Sequence, residues 1–87
     1  MKQKEIVIMG SVIQTFLSEK KLENAKPKDL MQVLVNKGFF KQDHRAGLPL
    51  RNILRDLDNK GLLYLLPQVS VERKKSNRNW YFNLMKI

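Results

Sequence analysis

The hydrophobic pattern of this chain changes period at Gly61, and that change limits the fold more than any other feature. Before it, apolar side chains recur three and four residues apart: Ile6, Met9, Ile13, Phe16 and Leu17 within residues 3 to 20, and Leu50, Ile53, Leu54 and Leu57 within residues 49 to 60. That spacing stacks them on one face of a helix. After it, LLYLL, QVSVERK and NWYFNLM alternate with a period of two, the period of strands, whose successive side chains point to opposite faces. The expected class is mostly α with a small antiparallel β-hairpin (α+β). Residues 1–87 are expected to form a single domain, because a chain this short has room for one core.

Gly and Pro sharpen the boundaries. In NAKPKDLMQVLVNKG, Pro27 suits a first helical position, Asp29 complements the positive end of the helix dipole, and Gly38 can cap the end in the left-handed conformation. A second helix is expected over 27 to 37, with Leu30, Met31, Leu34 and Val33 inward. Gly47, Pro49 and Gly61 bracket a third over 49 to 60. The first helix carries Ile8 and Val12 beside its core stripe, a wider apolar arc than one small core usually needs. It leaves room for a second contact, with the C-terminal strand or with another protomer in a homodimer. Its β-branched start makes a strand the competing reading there, and its length favours the helix. Phe39 and Phe40, at the head of the connector FFKQDHRAGL, are read as core plugs.

With Ser76 and Asn77 at the hairpin tip, Arg73 would face Trp80, Val71 would face Phe82 and Val69 would face Leu84, so that the apolar residues share one face. An odd-length loop would divide them between two faces, so the connection should be even. Trp80 is then expected to cover the core with Arg73 across its ring, and Tyr81 to point the other way.

Seventeen Lys and Arg against eight Asp and Glu give a net charge of +9. Such a surface attracts polyanions, although charge also serves solubility alone. No Cys is present, which excludes a disulfide framework and a thiolate zinc site. No apolar run approaches the roughly 20 residues that span a bilayer, and MKQKEIVIMGS lacks a signal-type apolar region with a cleavage site, so a soluble, cytoplasmic protein without a membrane partner is expected. His44 is the one histidine and offers no metal-ligand spacing. No nucleophile with base and orienting acid can be assembled around it, and the four glycines match no phosphate-binding or dinucleotide motif. Asp56 and Asp58, two apart on a helix, do not share a face and make a poor magnesium pair. Neither a cofactor nor a catalytic activity is expected.

Three helices followed by a two-stranded ribbon with a basic tip resemble the winged helix-turn-helix superfamily of DNA-binding domains, over nearly the whole chain. The resemblance is carried by GLPLRNILRDLDNKGLLYLL, which looks like a recognition helix running into the first ribbon strand, and by VERKKSNRNWYF, which looks like a wing. The run from Gly38 to Leu48 is longer than a strict helix-turn-helix allows, and Phe39 to Lys41 could supply the short strand that winged domains often place there.

The resemblance implies a major-groove role for the third helix. Arg51, Asn52 and Arg55 are residue types that pair with guanine and adenine edges. The alternative is that Arg51 and Arg55 merely solvate an exposed face, paired with Asp58 or Asp56, whose carboxylates would be unfavourable near phosphates; the groove role is the favoured reading. On the wing, Arg73, Lys74, Lys75, Asn77 and Arg78 suit phosphate or minor-groove contact, and past Glu72 there is no acid; Lys86 adds to that run. The alternative is an edge ribbon protected from aggregation by its charges. Lys26 and Lys28, at the start of the second helix, and Tyr81 are further candidates for backbone contact. Duplex DNA is the favoured partner, for a small transcriptional regulator, a mobile-element accessory factor or an architectural protein. The rival is a protein-interaction module of the same fold that holds an acidic partner. RNA binding would call for aromatics exposed on a sheet face.

Overall fold

The computed structural model describes residues 1–85; Lys86 lies outside the described residues. Helix α1 spans Gln3–Lys20, α2 Pro27–Asn36 and α3 Leu48–Asn59; a 3-10 turn at Leu63–Leu65 leads into an antiparallel hairpin of β1, Val69–Arg73, and β2, Arg78–Phe82. The chain is thus mostly helical with a two-stranded antiparallel sheet, as the change of period predicts.

Each of the first two helices begins on a carboxylate in its first turn. Glu5 accepts from the Lys2 amide at 3.3 Å and Asp29 from the Lys26 amide at 2.9 Å, satisfying donors that a helix start leaves free. Glycines end α2 and α3, with Gly38 at φ +86° and Gly61 at φ +72°. The buried stripes are Ile6, Met9, Ile13 and Leu17 of α1, Leu30, Met31 and Leu34 of α2, and Leu50, Leu54 and Leu57 of α3. Trp80 and Phe82 of β2 close this core. Phe39, Phe40 and Phe16 pack against it only partly buried. Of the wide arc on α1, Val12 is partly covered, whereas Val7 and Ile8 remain about half exposed.

Three expectations are corrected. LLYLL is not a strand: the amides of Leu65 and Leu66 donate to the carbonyls of Leu62 and Leu63 at 3.0 Å, and the turn lies against α1 and α3 instead of beside another strand. Phe39 to Lys41 form no strand either. The extra pairing comes from the α1–α2 connector: Ala25 and Phe82 exchange both backbone hydrogen bonds, at 3.0 and 2.7 Å, on the edge of β2 away from β1. Finally, the hairpin pairs Val69 with Phe82, Val71 with Trp80 and Arg73 with Arg78. The loop is even, as parity requires, but it holds four residues, Lys74 to Asn77, closed by the Lys74 amide on the Asn77 carbonyl at 2.9 Å.

Candidate nucleic-acid interface

Two close approaches build this surface. The first joins the starts of α2 and α3. Gly47 precedes α3 with φ +94°, and a Cβ there would stand 2.7 Å from the amide nitrogen of Lys28, so only glycine lets the two helix starts touch. Arg45 and Ala46 immediately before it also have positive φ, 52° and 49°, a conformation costing non-glycine residues roughly 1–2 kcal/mol each. Asp43 holds this segment by accepting from the Gly47 amide at 2.9 Å.

The second joins α3 to the hairpin. Arg73, Arg78 and Trp80 lie on the same face of the ribbon, and at its tip-proximal end the two arginines meet Asp58. Arg73 donates through both terminal nitrogens, at 2.7 and 2.9 Å, and Arg78 at 2.8 Å. Arg78 also reaches the Asn59 side chain at 3.0 Å and lies 5.8 Å from the Trp80 ring centroid. Arg78, not Arg73, therefore packs across the tryptophan. The Asp58 carboxyl, 9% exposed, is held down at a pKa of about 2 by its hydrogen bonds to Arg73 and then Arg78, with their positive charge adding to the effect. Asp56 pairs instead with Lys60 at 3.1 Å, both well exposed, a contact of small energetic value.

Together these contacts shape a cleft of about 350 Å3, lined by Lys26, Lys28, Arg51, Arg78, Asn79 and Tyr81 among others, with no carboxylate on its wall. Arg51 is anchored at its rim: Nη2 donates to the Arg45 carbonyl at 2.6 Å, while the buried Nε has no partner. A buried donor left unpaired costs about 1–3 kcal/mol. Comparison of the chain with known protein families, with curated proteins and with solved structures finds no match. Its chemistry has to be read from these residues themselves.

Of the residues singled out in the sequence, Lys26, Lys28, Arg51, Arg78 and Tyr81 come together at the cleft. Arg73 goes to Asp58 and does not line it. Asn52 and Arg55 lie exposed on α3, and Lys74, Lys75 and Asn77 are exposed at the hairpin tip. Neither Arg51 nor Arg55 pairs with Asp56 or Asp58. Asn79, whose side chain suits hydrogen bonding to a nucleic-acid backbone, also lines the cleft; Ala46 was not anticipated there, and the signal available was Gly47, which marks a backbone contact as well as a helix start. Among the described residues, no three His, Asp or Glu side chains gather into a metal-binding group, and no helix is long and apolar enough to cross a membrane.

Proposed function

We propose that this protein binds nucleic acid, specifically duplex DNA, as a winged helix-turn-helix domain, and acts without catalysis as a small transcriptional regulator or mobile-element accessory factor. The observation that carries this reading is the gathering of Lys26, Lys28, Arg51 and Arg78 at one carboxylate-free cleft, on a chain with a net charge of +9. The exposed cations of α3 and the hairpin tip, Arg55, Lys74 and Lys75, extend that potential on either side. Of the two acids on α3 that would repel a phosphate, Asp58 is neutralised from within by Arg73 and Arg78, whereas Asp56 stays exposed beside Lys60 and offsets part of the potential of Arg55.

Fluorescence anisotropy with a labelled duplex at several salt concentrations tests the proposal. If Lys26, Lys28, Arg51, Arg55, Lys74 and Lys75 meet phosphates, log affinity falls against log salt with a slope of roughly −5. A flat dependence, or no binding to any duplex at low salt, overturns it.

A second reading, a protein-interaction module, is favoured by one observation: Val7 and Ile8 on α1 are each about half exposed. Under that reading the α1 face and the basic face together hold an acidic protein, so Val7→Asp and charge reversal around the cleft each weaken its capture, while no duplex is bound at low salt.

A further inference from the structure

The cleft between α2, α3 and β2 is a concave site and not merely basic surface. Its volume of about 350 Å3 falls at the small end of the range for small-molecule pockets. The backbone at the start of α2 does not supply its donors: the Lys26 amide is taken by Asp29 and the Lys28 amide is covered by Gly47. Recognition there belongs to side chains. Four of them are cationic, and Arg78 alone shares its charge with an internal carboxylate.

Arg51 is the centre of this arrangement. Its guanidinium is fixed by the Arg45 carbonyl, its Nε is a buried donor without a partner, and the segment that fixes it is held at positive φ in two non-glycine residues. The Nε is closed to solvent and is no ligand contact itself; what the strained segment does is hold the guanidinium in place at the cleft wall. The ligand these cations suit is an oxyanion. A phosphodiester inside a duplex carries one negative charge and continues into sugars on both sides, so it can meet these cations only across the mouth of the cleft. A phosphate monoester carries about −1.5 to −2 at pH 7 and three terminal oxygens, is attached on one side only, and can enter a cleft end-on. Tyr81 lines the same wall, with Trp80 buried behind it, and offers aromatic area to an attached sugar or base.

We infer that the cleft binds the phosphate monoester of a nucleotide, either a free mononucleotide or the phosphorylated end of a nucleic-acid strand. The nucleoside part of this inference rests on the nucleic-acid reading above; the phosphate part rests on the cleft alone.

Trp80, the single tryptophan, reports on the site directly through its emission. The full chain is titrated with adenosine 5′-monophosphate, with adenosine, and with inorganic phosphate, and anisotropy compares one duplex carrying 5′-phosphate with the same duplex carrying 5′-hydroxyl. Expected are a response to the monophosphate at least ten-fold tighter than to adenosine, and a preference of about ten-fold for the phosphorylated duplex. Arg51→Lys, which keeps the charge and loses the guanidinium, should remove most of both with an unchanged melting temperature. Arg55→Ala, outside the cleft, should lower duplex binding and leave both ratios intact. A response to the mononucleotide without an end preference identifies the free nucleotide as the source. Equal binding of the two duplexes with no response to the monophosphate overturns this inference and leaves duplex binding standing. Binding of the monophosphate with no binding of any duplex sinks the duplex reading alone.

Discussion

Arg78 of β2 donates to Asp58 of α3 at 2.8 Å, and with side chains 24% and 9% exposed this is the better covered of the two ion pairs that Asp58 makes. It fastens the hairpin to the helix at the end of β2 away from the Ala25 bridge. Removing the carboxylate leaves two guanidiniums facing each other across paired positions of the sheet, a like-charge contact that disfavours the pairing. Asp58→Ala is therefore expected to lower the unfolding free energy by about 1–2 kcal/mol, measured by urea denaturation. An unchanged midpoint would show that the clamp adds nothing to stability.

The same carboxylate gives the fold an acid dependence whose sign is fixed by the direction of its shift. Its pKa is lowered from 3.8 to about 2 in the folded chain, first by Arg73 and then by Arg78. A group bound more tightly as the anion stabilises the folded state fully above the unfolded pKa, and that contribution fades as pH falls through the folded one. Wild-type stability should thus decline between about pH 4 and pH 2, whereas Asp58→Asn, which cannot titrate, should show a shallower decline over the same window. Thermal unfolding at half-unit pH steps on both proteins makes the comparison.

Gly47 and its two neighbours allow opposite outcomes from small changes. Gly47→Ala places a methyl group 2.7 Å from the Lys28 amide nitrogen, at φ +94°, where backbone and not a flexible side chain must yield. A loss of at least about 2 kcal/mol is expected from the left-handed conformation and the overpacking together. Ala46→Gly at φ 49° relieves strain without removing a buried group, since Ala46 is exposed, and should be neutral or stabilising by up to about 1 kcal/mol. Melting temperatures that move in the same direction for both substitutions would contradict the geometry of this segment.

Much of this architecture is legible in the residues, and the places where it is not have physical causes. The three helices follow from periodic apolar positions and from Pro27, Pro49, Gly38 and Gly61, signals that act within a few residues of the chain. The face of each hairpin residue follows from parity, which already groups Arg73, Trp80 and Phe82 together. The length of the loop does not, because KKSN is polar throughout and carries no period, so the pairing settles two residues from the expected alignment. LLYLL reads as alternating, yet a strand needs a neighbour to receive its amides; with α1 and α3 on either side, the segment satisfies them locally in a 3-10 turn. Asp58 looks from the sequence like an obstacle to anion binding. Its pairing with Arg73 and Arg78 depends on where the hairpin folds back, a distance that no local pattern encodes. For the same reason Lys26, Arg51 and Asn79 become neighbours only when Gly47 and Ala25 bring α2 against α3 and β2.

The contrast between Arg55 and Arg73 separates cations available to a polyanion from cations already occupied. Both are exposed and both carry one charge, so a reading from net charge alone assigns them equal weight. Arg55 makes no ion pair among the described residues, whereas Arg73 spends two hydrogen bonds on Asp58. If the α3 face meets phosphates, Arg55→Ala should weaken duplex binding by about 3- to 10-fold and make the salt slope about one unit shallower, because one fewer counterion is released. Arg73→Ala should change affinity less than 3-fold and leave the slope within about half a unit, because Asp58 remains neutralised by Arg78 and no phosphate contact is lost. Anisotropy titrations of both variants over the same salt series decide the matter. Equal slopes for the two variants would mean that Asp58 gives up Arg73 on binding, and that the clamp opens when the polyanion arrives.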